Sequence, residues 1–540
     1  MKLTRREILK SFLGLPFILK ACRSGQDIAG LTGEILGADA KVGHLIRDYL
    51  TPEVTSENLE NKGVVIVGGG IAGLTAAWKF KKSNFHDFVL LELEPRIGGT
   101  AQSGQNSFIS YPWGAHYLPV PLKENQPLID LLDEMGLTEG RDERGEVLIK
   151  EEYLCRSPEE RIFYRGRWYE GLYPHVGESE RDKQELAEFQ RKIDFWVNWR
   201  DPSGKRAFTL PVANCSDDAE TSSLDKISFS EWLRLQGFSS ERLLWYCNYA
   251  CRDDYGLTID ETSAWAGLFY FCSRVRKSGD ESQPFITFPE GNGYFVNYFY
   301  SKVKEHVRLK SAVVEIVTNE NDVTVVYLDV VEQKYRAIKA RMAIFAAPMF
   351  TARFLIRDFK ENPPDYLKEF EHNCWFVANL TLKDRPKSRF TQDFPLSWDN
   401  VIYDSPSLGY VCATHQKCID YGPTVFTYYY PMGNSKESRI KLFSLGWEEL
   451  VDIILMDLSR AHEDIYSLVE RIDIMRWGHA MISPRPAFVR SQSLRKAQKP
   501  YRNIFFANTD LSGVALFEEA FFHGNRAADE ILRIIRHQNL

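Results

Sequence analysis

The clearest candidate for a ligand-binding site is a glycine-rich pattern in the first part of the chain, Gly68-Gly69-Gly70-Ile71-Ala72-Gly73. In such a G-x-G-x-x-G pattern Gly68 permits a tight turn, Gly70 leaves room for a pyrophosphate against backbone N–H groups, and Gly73 allows a helix to pack closely. Ile71 and Ala72 would open that helix, whose N-terminus attracts phosphate because its N–H groups are unpaired. The pattern therefore predicts a dinucleotide site.

The neighbouring sequence supplies the elements that this site needs. A β-branched run over residues 63–67 predicts a buried parallel strand before the glycines, and residues 74–82 have helical composition. A second strand is predicted over residues 88–91 and ends at Glu92, about 20 residues after Gly73. A carboxylate at that position accepts hydrogen bonds from ribose hydroxyls and repels a 2′-phosphate, which disfavours NADP.

The stretch that begins at Glu92 resembles a known flavoprotein motif. It continues Leu93-Glu94-Pro95-Arg96-Ile97-Gly98-Gly99-Thr100, which is similar to the extension found in the superfamily of flavin amine oxidases, protoporphyrinogen oxidases and phytoene desaturases. The resemblance implies an FAD cofactor, with Arg96 near its diphosphate and with Gly98, Gly99 and Thr100 in a second loop beside it. Positive charge and bare backbone also suit a diphosphate on physical grounds.

Three further segments fit the same resemblance. Trp113-Gly114-Ala115-His116 is similar to the segment that passes the flavin, and His116 is expected either to orient a group near the isoalloxazine or to be a packed histidine. Val313, in a strand that follows a Pro-Gly-rich turn at 288–293, is expected near the adenine. Asp510 is expected to stand in for the acid that binds the ribityl chain, before a helix whose N-terminus stabilises the reduced flavin.

The resemblance also implies candidate catalytic residues. Residues 476–486 are similar to the stretch that closes over the flavin, which makes Trp477 the aromatic candidate beside the ring and His479 the titratable candidate. Amine oxidases usually place a lysine near flavin N5, and Asn379, in a predicted strand over 376–382, occupies that place here. The C-terminal turn lacks the tyrosine of the amine-binding aromatic pair and has an apolar run over 514–516. Both differences count against simple amine oxidation.

The remaining segments are rich in aromatic residues, which could line a substrate cavity or form the core. Arg252-Asp253-Asp254 is a charged group among them. Buried acids there would bind a cationic substrate, whereas a solvated loop or a structural salt bridge would have no such role. The sequence leaves these interpretations open.

These motifs predict an α/β fold in which a Rossmann-like FAD-binding domain is interleaved with an α+β substrate domain. The FAD-binding domain is expected from residues 62–118, 285–349 and 474–540, and the substrate domain from residues 119–284 and 350–473. A chain of 540 residues with a net charge of −7, 44% hydrophobic and 26% charged residues is typical of a globular protein. This composition excludes wholesale disorder and a broad nucleic-acid-binding surface.

Nine cysteines are scattered along the chain, and none has the spacing of a zinc site. We therefore expect no metal. Cys247 and Cys251 are four residues apart and would share one face of a helix. They are expected to be buried thiols, with a disulfide as the alternative.

The first 22 residues resemble a twin-arginine export signal, because Arg5 and Arg6 precede an apolar run over 11–19 that is too short to span a bilayer. Residues 19–22 are similar to a lipoprotein cleavage site with Cys22 as the lipidated residue, and residues 23–61 are expected to form a leader with a helix at 45–50. The resemblance implies that the twin-arginine translocation machinery carries the folded protein to the periplasm or to the outer side of the membrane. The alternative is an attached amphipathic helix.

Three functions are compatible with the sequence. The first is an FAD-dependent, amine oxidase-like oxidoreductase that transfers hydride from a small amine or polyamine to flavin N5, with oxygen or a quinone as the final acceptor. The second is an FAD-dependent desaturase or isomerase that acts on a C–C bond, which the missing lysine and tyrosine favour. The third is a non-catalytic flavin-binding partner in export.

Overall fold

The structure is a computed structural model that describes residues 30–37, 40–44, 58–280 and 282–538. Its β-strands, in chain order, are β1 (Leu59–Val67), β2 (Phe88–Leu91), β3 (Ser103–Gln105), β4 (Ser110–Pro112), β5 (Tyr117–Pro119), β6 (Thr138–Arg141), β7 (Val147–Ile149), β8 (Glu160–Tyr164), β9 (Arg167–Glu170), β10 (Phe285–Thr287), β11 (Val307–Arg308), β12 (Ser311–Thr318), β13 (Val323–Asp329), β14 (Lys334–Phe345), β15 (His372–Leu382), β16 (Asp399–Ile402), β17 (Tyr410–Cys412), β18 (Thr424–Gly433), β19 (Val469–Ile482) and β20 (Ile504–Phe506).

The α-helices, in chain order, are α1 (Ala40–His44), α2 (Ile71–Lys82), α3 (Gln126–Glu134), α4 (Glu180–Asn198), α5 (Ala219–Ser223), α6 (Phe229–Leu235), α7 (Glu241–Tyr255), α8 (Ala264–Cys272), α9 (Gly293–Val303), α10 (Ala352–Leu355), α11 (Arg357–Glu361), α12 (Lys436–Ser444), α13 (Trp447–Ser459), α14 (Ile465–Leu468), α15 (Gln492–Ala497) and α16 (Phe517–Gln538).

The glycine pattern lies at the carboxyl end of β1, inside a seven-stranded sheet of order β11-β2-β1-β14-β13-β12, with β20 paired to β14. β1 runs parallel to both β2 and β14, and its residues 63–67 are buried. A strand covered on both faces needs apolar residues at successive positions, which explains the β-branched run in the sequence. The strand, helix and second strand predicted around the glycines are all present.

Helix α2 joins β1 to β2 and packs against α16. The two helices come closest at Gly524, where an added Cβ atom would lie 2.4 Å from the carbonyl oxygen of Ala72. No side chain fits in that space, so a glycine is required for the helices to meet. This packing holds the N-terminus of α2 in place at the end of β1.

Where the sequence places Val313 in a strand, residues 307–318 form two strands, β11 and β12. β11 pairs in parallel with β2, whereas β12 pairs antiparallel with β13. Between them Lys310 has a φ of 52°, a left-handed conformation that redirects the chain. β12, β13 and β14 therefore form an antiparallel half of the sheet.

A second seven-stranded sheet has the order β19-β15-β18-β17-β16-β8-β9. One of its faces packs on α13 through an apolar core that includes Phe376, Leu380 and Ile454. Because side chains alternate along a strand, the other face carries Trp375, Val377 and Asn379. β19 runs unbroken through residue 474, which the sequence suggested as the boundary between the two domains.

The helices α4 to α8 share one apolar core with a face of the first sheet, in which Phe189, Trp232 and Trp265 belong to the same cluster as Val65 and Phe345. Arg252-Asp253-Asp254 is part of α7, so this charged group is helical and does not form a loop. Cys247 and Cys251 lie buried on the same helix, and each of the eight cysteines in the described part of the chain is a free thiol. The expectation of buried thiols is therefore confirmed.

The first described residues, 30–37, lie along the edge of β19. Thr32 and Ile35 form parallel bridges with Arg471 and Ile474. An added Cβ atom at Gly33 would lie 1.8 Å from the carbonyl oxygen of Ile472, so this position requires glycine. The predicted export signal, Cys22 and the helix at 45–50 lie outside the described residues.

Within the described ranges, no helix is both long enough and apolar enough to cross a membrane.

Candidate active site

The first glycine loop provides space for a phosphate group at the N-terminus of α2. Gly68 has a φ of 105°, and a Cβ atom at Gly73 would lie 2.0 Å from the carbonyl oxygen of Gly68. At Gly70, by contrast, an added Cβ atom would meet no atom within 4 Å, and no side chain caps the helix there. The first turn, with Ile71 and Ala72, therefore offers backbone N–H groups to a diphosphate, and these residues fit FAD.

Glu92 follows β2 and points back at this loop. Its carboxylate accepts hydrogen bonds from the backbone N–H groups of Gly69 at 2.6 Å and Glu94 at 2.8 Å. Burial raises the pKa of Glu92 to about 7, because a desolvated carboxylate is costly. Ribose hydroxyl donors would lower that cost by hydrogen bonding to the charged form.

The second glycine loop packs directly on the first. Gly98 donates its N–H to the carbonyl oxygen of Gly69 at 2.9 Å, and a Cβ atom at Gly99 would lie 3.4 Å from the Cα of Gly70. Gly98 and Gly99 have φ values of 118° and 56°, which favour glycine. Arg96 is exposed beside this loop. The contact fixes both loops against each other, as a shared diphosphate site requires.

Residues 112–114 pass between the second glycine loop and the second sheet. Trp113 and Ala115 donate their backbone N–H groups to the carbonyl oxygens of Gln102 and Thr100, at 2.9 and 3.0 Å. Ala115 is exposed although its neighbours on both sides are partly or fully buried. A methyl group and bare backbone on that side leave room for a planar ring.

The predicted catalytic residues Asn379 and Trp477 both contact this segment. The Asn379 side chain donates to the carbonyl oxygen of Pro112 at 2.9 Å and accepts from the hydroxyl of Thr427 at 2.7 Å. The Trp477 indole donates to the carbonyl oxygen of Trp113 at 2.7 Å. The hydrogen-bonding groups of both side chains are therefore directed at the main chain of the segment.

His479 lies two residues further along β19, where its ring stacks on Phe350 with centroids 4.2 Å apart. The ring of His372 is 6.3 Å away and bonds to the carboxylate of Asp510 at 3.0 Å. Asp510 also accepts the backbone N–H of Met349 at 2.7 Å. The structure thus brings His479 and Asp510 into one neighbourhood, and both oxygens of Asp510 have partners within the protein.

Val313 is buried in β12, whose first residue, Ser311, donates its backbone N–H to the carbonyl oxygen of Glu92 at 2.8 Å. The strand therefore lies next to the acid expected to bind the ribose. The predicted role of Val313 beside the adenine stays a prediction.

An aromatic wall surrounds His116. Its ring lies 4.8 Å from Tyr429, 5.1 Å from Tyr117 and 5.4 Å from Trp398, measured between centroids. Burial lowers the pKa of His116 to about 4, so the imidazole is neutral near pH 7. The phenol of Tyr429 donates to the carbonyl oxygen of Gly114 at 2.9 Å, which places the wall directly beside the 112–114 segment.

Three carboxylates gather behind this wall, and we call Glu160, Asp253 and Asp399 the acid cluster. Glu160 and Asp399 are directly opposite each other on the parallel strands β8 and β16. Asp253 on α7 is close enough to both to contribute to the electrostatics of the cluster. Like charges at opposed positions of a sheet destabilise it, so the arrangement has a cost in the free energy of folding.

The pKa values of the cluster reflect that cost. Burial first, and the charge of the adjacent Glu159 second, raise the pKa of Glu160 to about 7. Burial, then the charges of Asp254 and Glu160, raise the pKa of Asp253 to about 8 against the opposing effect of Arg274. Burial, then the charges of the other two acids of the cluster, raise the pKa of Asp399 well above its ordinary value. Tyr249 donates to Asp399 at 3.4 Å, a weak bond that offsets little of the penalty.

The adjacent Asp254 has a different environment. It forms a buried ion pair with Arg274 at 2.9 Å and accepts from the phenol of Tyr117 at 3.3 Å. Among residues the structure describes, no lysine or arginine lies within ion-pair distance of the acid cluster. Asp254 is thus the structural salt bridge suggested by the sequence, whereas Asp253 belongs to the acid cluster and has no ion-pair partner of its own among the described residues, although the charge of Arg274 opposes the rise of its pKa.

Sequence reasoning missed Glu160, Asp399 and Tyr429, whereas Trp398 belongs to the aromatic residues that the sequence offered as possible lining of a substrate cavity. The three missed residues lie on different strands, β8, β16 and β18, and no spacing connects them. Only the pairing of β8 with β16 brings the two acids together. The one signal in the sequence was the acidic pair at 253–254.

The comparisons with known proteins agree with this geometry. A family model described as flavin containing amine oxidoreductase matches residues 71–532. A putrescine oxidase structure, the wild type bound to putrescine, is similar with a TM-score of 0.64 and 18% identity over 88% of this chain and 100% of that chain.

Two other solved structures share the fold. Cyclohexylamine oxidase from Brevibacterium oxydans IH-35A has a TM-score of 0.62 and 15% identity over 88% of this chain and 100% of that one. A CLA-producing fatty acid isomerase from P. acnes has a TM-score of 0.60 and 16% identity over 87% and 98%. Together with the glycine loops, the family match establishes FAD as the cofactor and an FAD-dependent oxidoreductase as the activity. The chain therefore belongs to the flavin-containing amine oxidoreductase family.

Proposed function

We propose that this amine oxidase-like enzyme acts on a diamine or polyamine, and that the acid cluster binds a protonated nitrogen remote from the reacting one. The observation that carries the proposal is that three carboxyl groups, those of Glu160, Asp253 and Asp399, lie together with raised pKa values and without a lysine or arginine at ion-pair distance among the residues that the structure describes. Buried charges are retained in proteins when they are paired. A ligand that carries its own ammonium groups would supply the missing positive charge.

The position of the cluster relative to the aromatic wall supports this assignment. Tyr429 lies close enough to Asp399 and Asp253 for their charges to raise its pKa, and its phenol bonds to Gly114 at 2.9 Å, so the acid cluster is near the segment expected beside the flavin. An extended amine could place one nitrogen at the acids and the other beside Ala115. Trp398, Tyr117 and Tyr429 offer apolar ring faces to the methylene chain between the two nitrogens.

FAD, when bound, accepts a hydride from the C–H bond next to the reacting nitrogen. The residues of this chain orient that bond and exclude water. His116 is neutral near pH 7, because burial lowers its pKa to about 4, so it adds no positive charge that would repel the substrate. The reacting nitrogen must be neutral, and the aromatic wall favours its uncharged form because desolvation penalises a charged amine.

A C–C desaturase or isomerase is the second candidate, favoured by Asn379 in place of lysine and by the shared fold with the fatty acid isomerase. A hydrocarbon chain would gain nothing from three carboxylates, and a fatty acid headgroup would be repelled by them. The acid cluster therefore favours the amine.

The test is anaerobic reduction of the purified holoenzyme by candidate substrates. The reduction is measured as the loss of flavin absorbance. 1,4-Diaminobutane, 1,5-diaminopentane and spermidine should bleach the flavin at concentrations at least tenfold lower than n-butylamine and n-pentylamine. Equal potency of the matched monoamines would contradict the role of the acid cluster. Bleaching by polyunsaturated fatty acids or polyenes alone, or isomerisation of such compounds, would support the second candidate. Peroxide release in air would identify oxygen as the acceptor.

We further propose, from the sequence, that the protein is exported through the twin-arginine translocation machinery and that Cys22 carries a lipid. Arg5, Arg6 and the sequence before Cys22 support this localisation. Replacement of both arginines by lysine should retain the protein in the cytoplasm. Cys22→Ala should release exported protein from the membrane fraction into the periplasm. Unchanged fractionation of both variants would contradict the proposal.

A further inference from the structure

Three neighbouring strands of the second sheet each direct one side-chain donor at the 112–114 segment. Asn379 on β15 bonds to the carbonyl oxygen of Pro112 at 2.9 Å, and Trp477 on β19 bonds to that of Trp113 at 2.7 Å. Tyr429 on β18 bonds to that of Gly114 at 2.9 Å. Three consecutive carbonyl groups are therefore held by three adjacent strands, and we call these side chains the donor clamp.

The opposite side of the segment is held as well. The backbone N–H groups of Trp113 and Ala115 are bonded to Gln102 and Thr100, which follow the second glycine loop. The segment is thus fixed between the loop expected at the diphosphate and the sheet that carries the aromatic wall. The polar backbone groups named here are all occupied.

We propose that Asn379, Trp477 and Tyr429 are positioning residues, which set the depth at which residues 113–115 pack on the flavin ring. Asn379, at the place where amine oxidases usually have lysine, acts here by holding main chain. The proposal rests on FAD binding at this site and does not depend on which amine is the substrate.

The energetics favour a positioning role over loose packing. The Asn379 side chain is 2% exposed, and within the described residues its amide bonds to Pro112 and Thr427. A buried donor that loses its acceptor carries a desolvation penalty, so any shift of the segment away from the sheet is opposed at three places at once. Because the donors come from different strands, the sheet resists both sliding and tilting of the segment.

Each residue of the donor clamp can be substituted so that its hydrogen-bond donor is lost. Tyr429→Phe removes one hydroxyl, Trp477→Phe removes the indole N–H, and Asn379→Asp removes the donor while keeping an acceptor for Thr427. Matched controls exist on the same sheet, at Tyr428 of β18, and on the helix packed against it, at Trp447 of α13. Tyr428→Phe removes a phenol bonded to Asp457 at 3.0 Å, and Trp447→Phe removes an indole N–H bonded to the carbonyl oxygen of Ile472 at 2.8 Å.

The readouts are the visible circular dichroism of the bound flavin and the dissociation constant of FAD, measured by flavin fluorescence during reconstitution. Each clamp variant should change the dichroism and raise the dissociation constant about tenfold, and pairs of clamp variants should be non-additive because they act on one rigid segment. The two controls should lower the Tm and leave both readouts unchanged.

Asn379→Asp adds a pH-dependent signature. The introduced carboxyl group would be buried opposite Asp473 of β19, whose charge is paired with Arg471 at 2.7 Å. Its proton would restore a donor for Pro112 at low pH, so FAD affinity relative to that of the unmodified protein should recover on acidification.

Flavin dichroism and FAD affinity that stay native in Tyr429→Phe and Asn379→Asp, or that change equally in the controls, would overturn the proposal. Tyr429→Phe is the mildest change and keeps the test valid should another variant fail to fold. Failure of the diamine preference would leave these flavin readouts unaffected, so the two proposals are tested separately.

Discussion

Glu160 and Asp399 illustrate how a single residue can be unfavourable for folding and favourable for binding. The two acids are opposed on β8 and β16, and burial raises the pKa of Glu160 to about 7. Such a cost in the free energy of folding is tolerated at functional sites, where a bound ligand offsets it. The aromatic side chains around the cluster limit access of water, which strengthens its attraction for a cation.

Removing one charge should therefore weaken diamine binding selectively. Glu160→Gln should raise the dissociation constant for 1,4-diaminobutane about 30-fold or more, because loss of one partner of a buried charge pair costs about 2 kcal/mol or more. The value for n-butylamine should change less than threefold. Anaerobic titration of the flavin absorbance measures both. A similar loss for the two ligands would mean that Glu160 contacts the shared part of the substrate.

The same substitution should stabilise the substrate-free protein at neutral and alkaline pH. Between pH 4.5 and about 7 the folded protein keeps a proton on Glu160 that the unfolded chain has released, so the free energy of unfolding falls as pH rises through this window. Above it the penalty is complete, on the order of 1–3 kcal/mol. Thermal unfolding should show equal Tm values near pH 4.5 and a higher Tm for Glu160→Gln at pH 8. A lower Tm at pH 8 would contradict the origin assigned to the shift.

At the scale of elements, the glycines around α2 are of two kinds: some are required for close packing, and Gly70 borders open space. Gly73 and Gly524 permit packing, since added Cβ atoms would lie 2.0 Å and 2.4 Å from carbonyl oxygens. Gly70 has open space beside it and an ordinary extended backbone, with φ −72° and ψ −178°. Only the ligand explains why that position lacks a side chain.

This difference predicts opposite outcomes for two alanine substitutions. Gly70→Ala should leave the Tm of the cofactor-free protein within about 1 °C of the unmodified value and raise the dissociation constant of FAD at least tenfold, because the methyl group occupies phosphate space. Gly73→Ala should lower the Tm of the cofactor-free protein by several degrees, as overpacking costs about 1–3 kcal/mol. Calorimetry and flavin fluorescence measure the two effects. Native FAD affinity in Gly70→Ala would contradict this placement of the diphosphate.

The sequence predicted the elements around the glycines because each has a local cause: buried β-branched residues, a free helix N-terminus and an acid at the end of the next strand. It could not predict the acid cluster, whose members come from β8, α7 and β16 and meet through a strand pairing. The division of 307–316 into two strands depends on one left-handed residue, Lys310, which has no sequence signature. Asn379 was identified by its position, but its partners at Pro112 and Thr427 are tertiary contacts.

At the scale of the whole molecule, the two seven-stranded sheets meet at the 112–114 segment. One sheet supplies the cofactor loops and the other supplies the donor clamp and the aromatic wall. The second sheet has an outer edge at β19, and residues 30–37 cover part of it. An uncovered edge strand offers unpaired backbone groups to other chains, so this segment protects the β19 edge of the second sheet.

Removal of residues 30–37 tests whether they protect the edge of β19. A variant that begins at residue 38 should have a Tm several degrees lower and should form soluble aggregates, whereas a variant that begins at residue 30 should behave as the full chain does. Gly33→Ala in the full chain should mimic the longer truncation, because its Cβ atom would lie 1.8 Å from Ile472. Size-exclusion chromatography and thermal unfolding measure the outcome. Identical behaviour of the two truncated variants would show that the edge needs no cover.

The hydrogen bond from Thr32 to Glu470 joins residues 438 positions apart. A ribosome makes Thr32 early and Glu470 near the end of translation, so residues 30–37 can reach their place on β19 only after almost the whole polypeptide has been made. The cover of this sheet edge therefore cannot form before residues 469–482 of β19 exist.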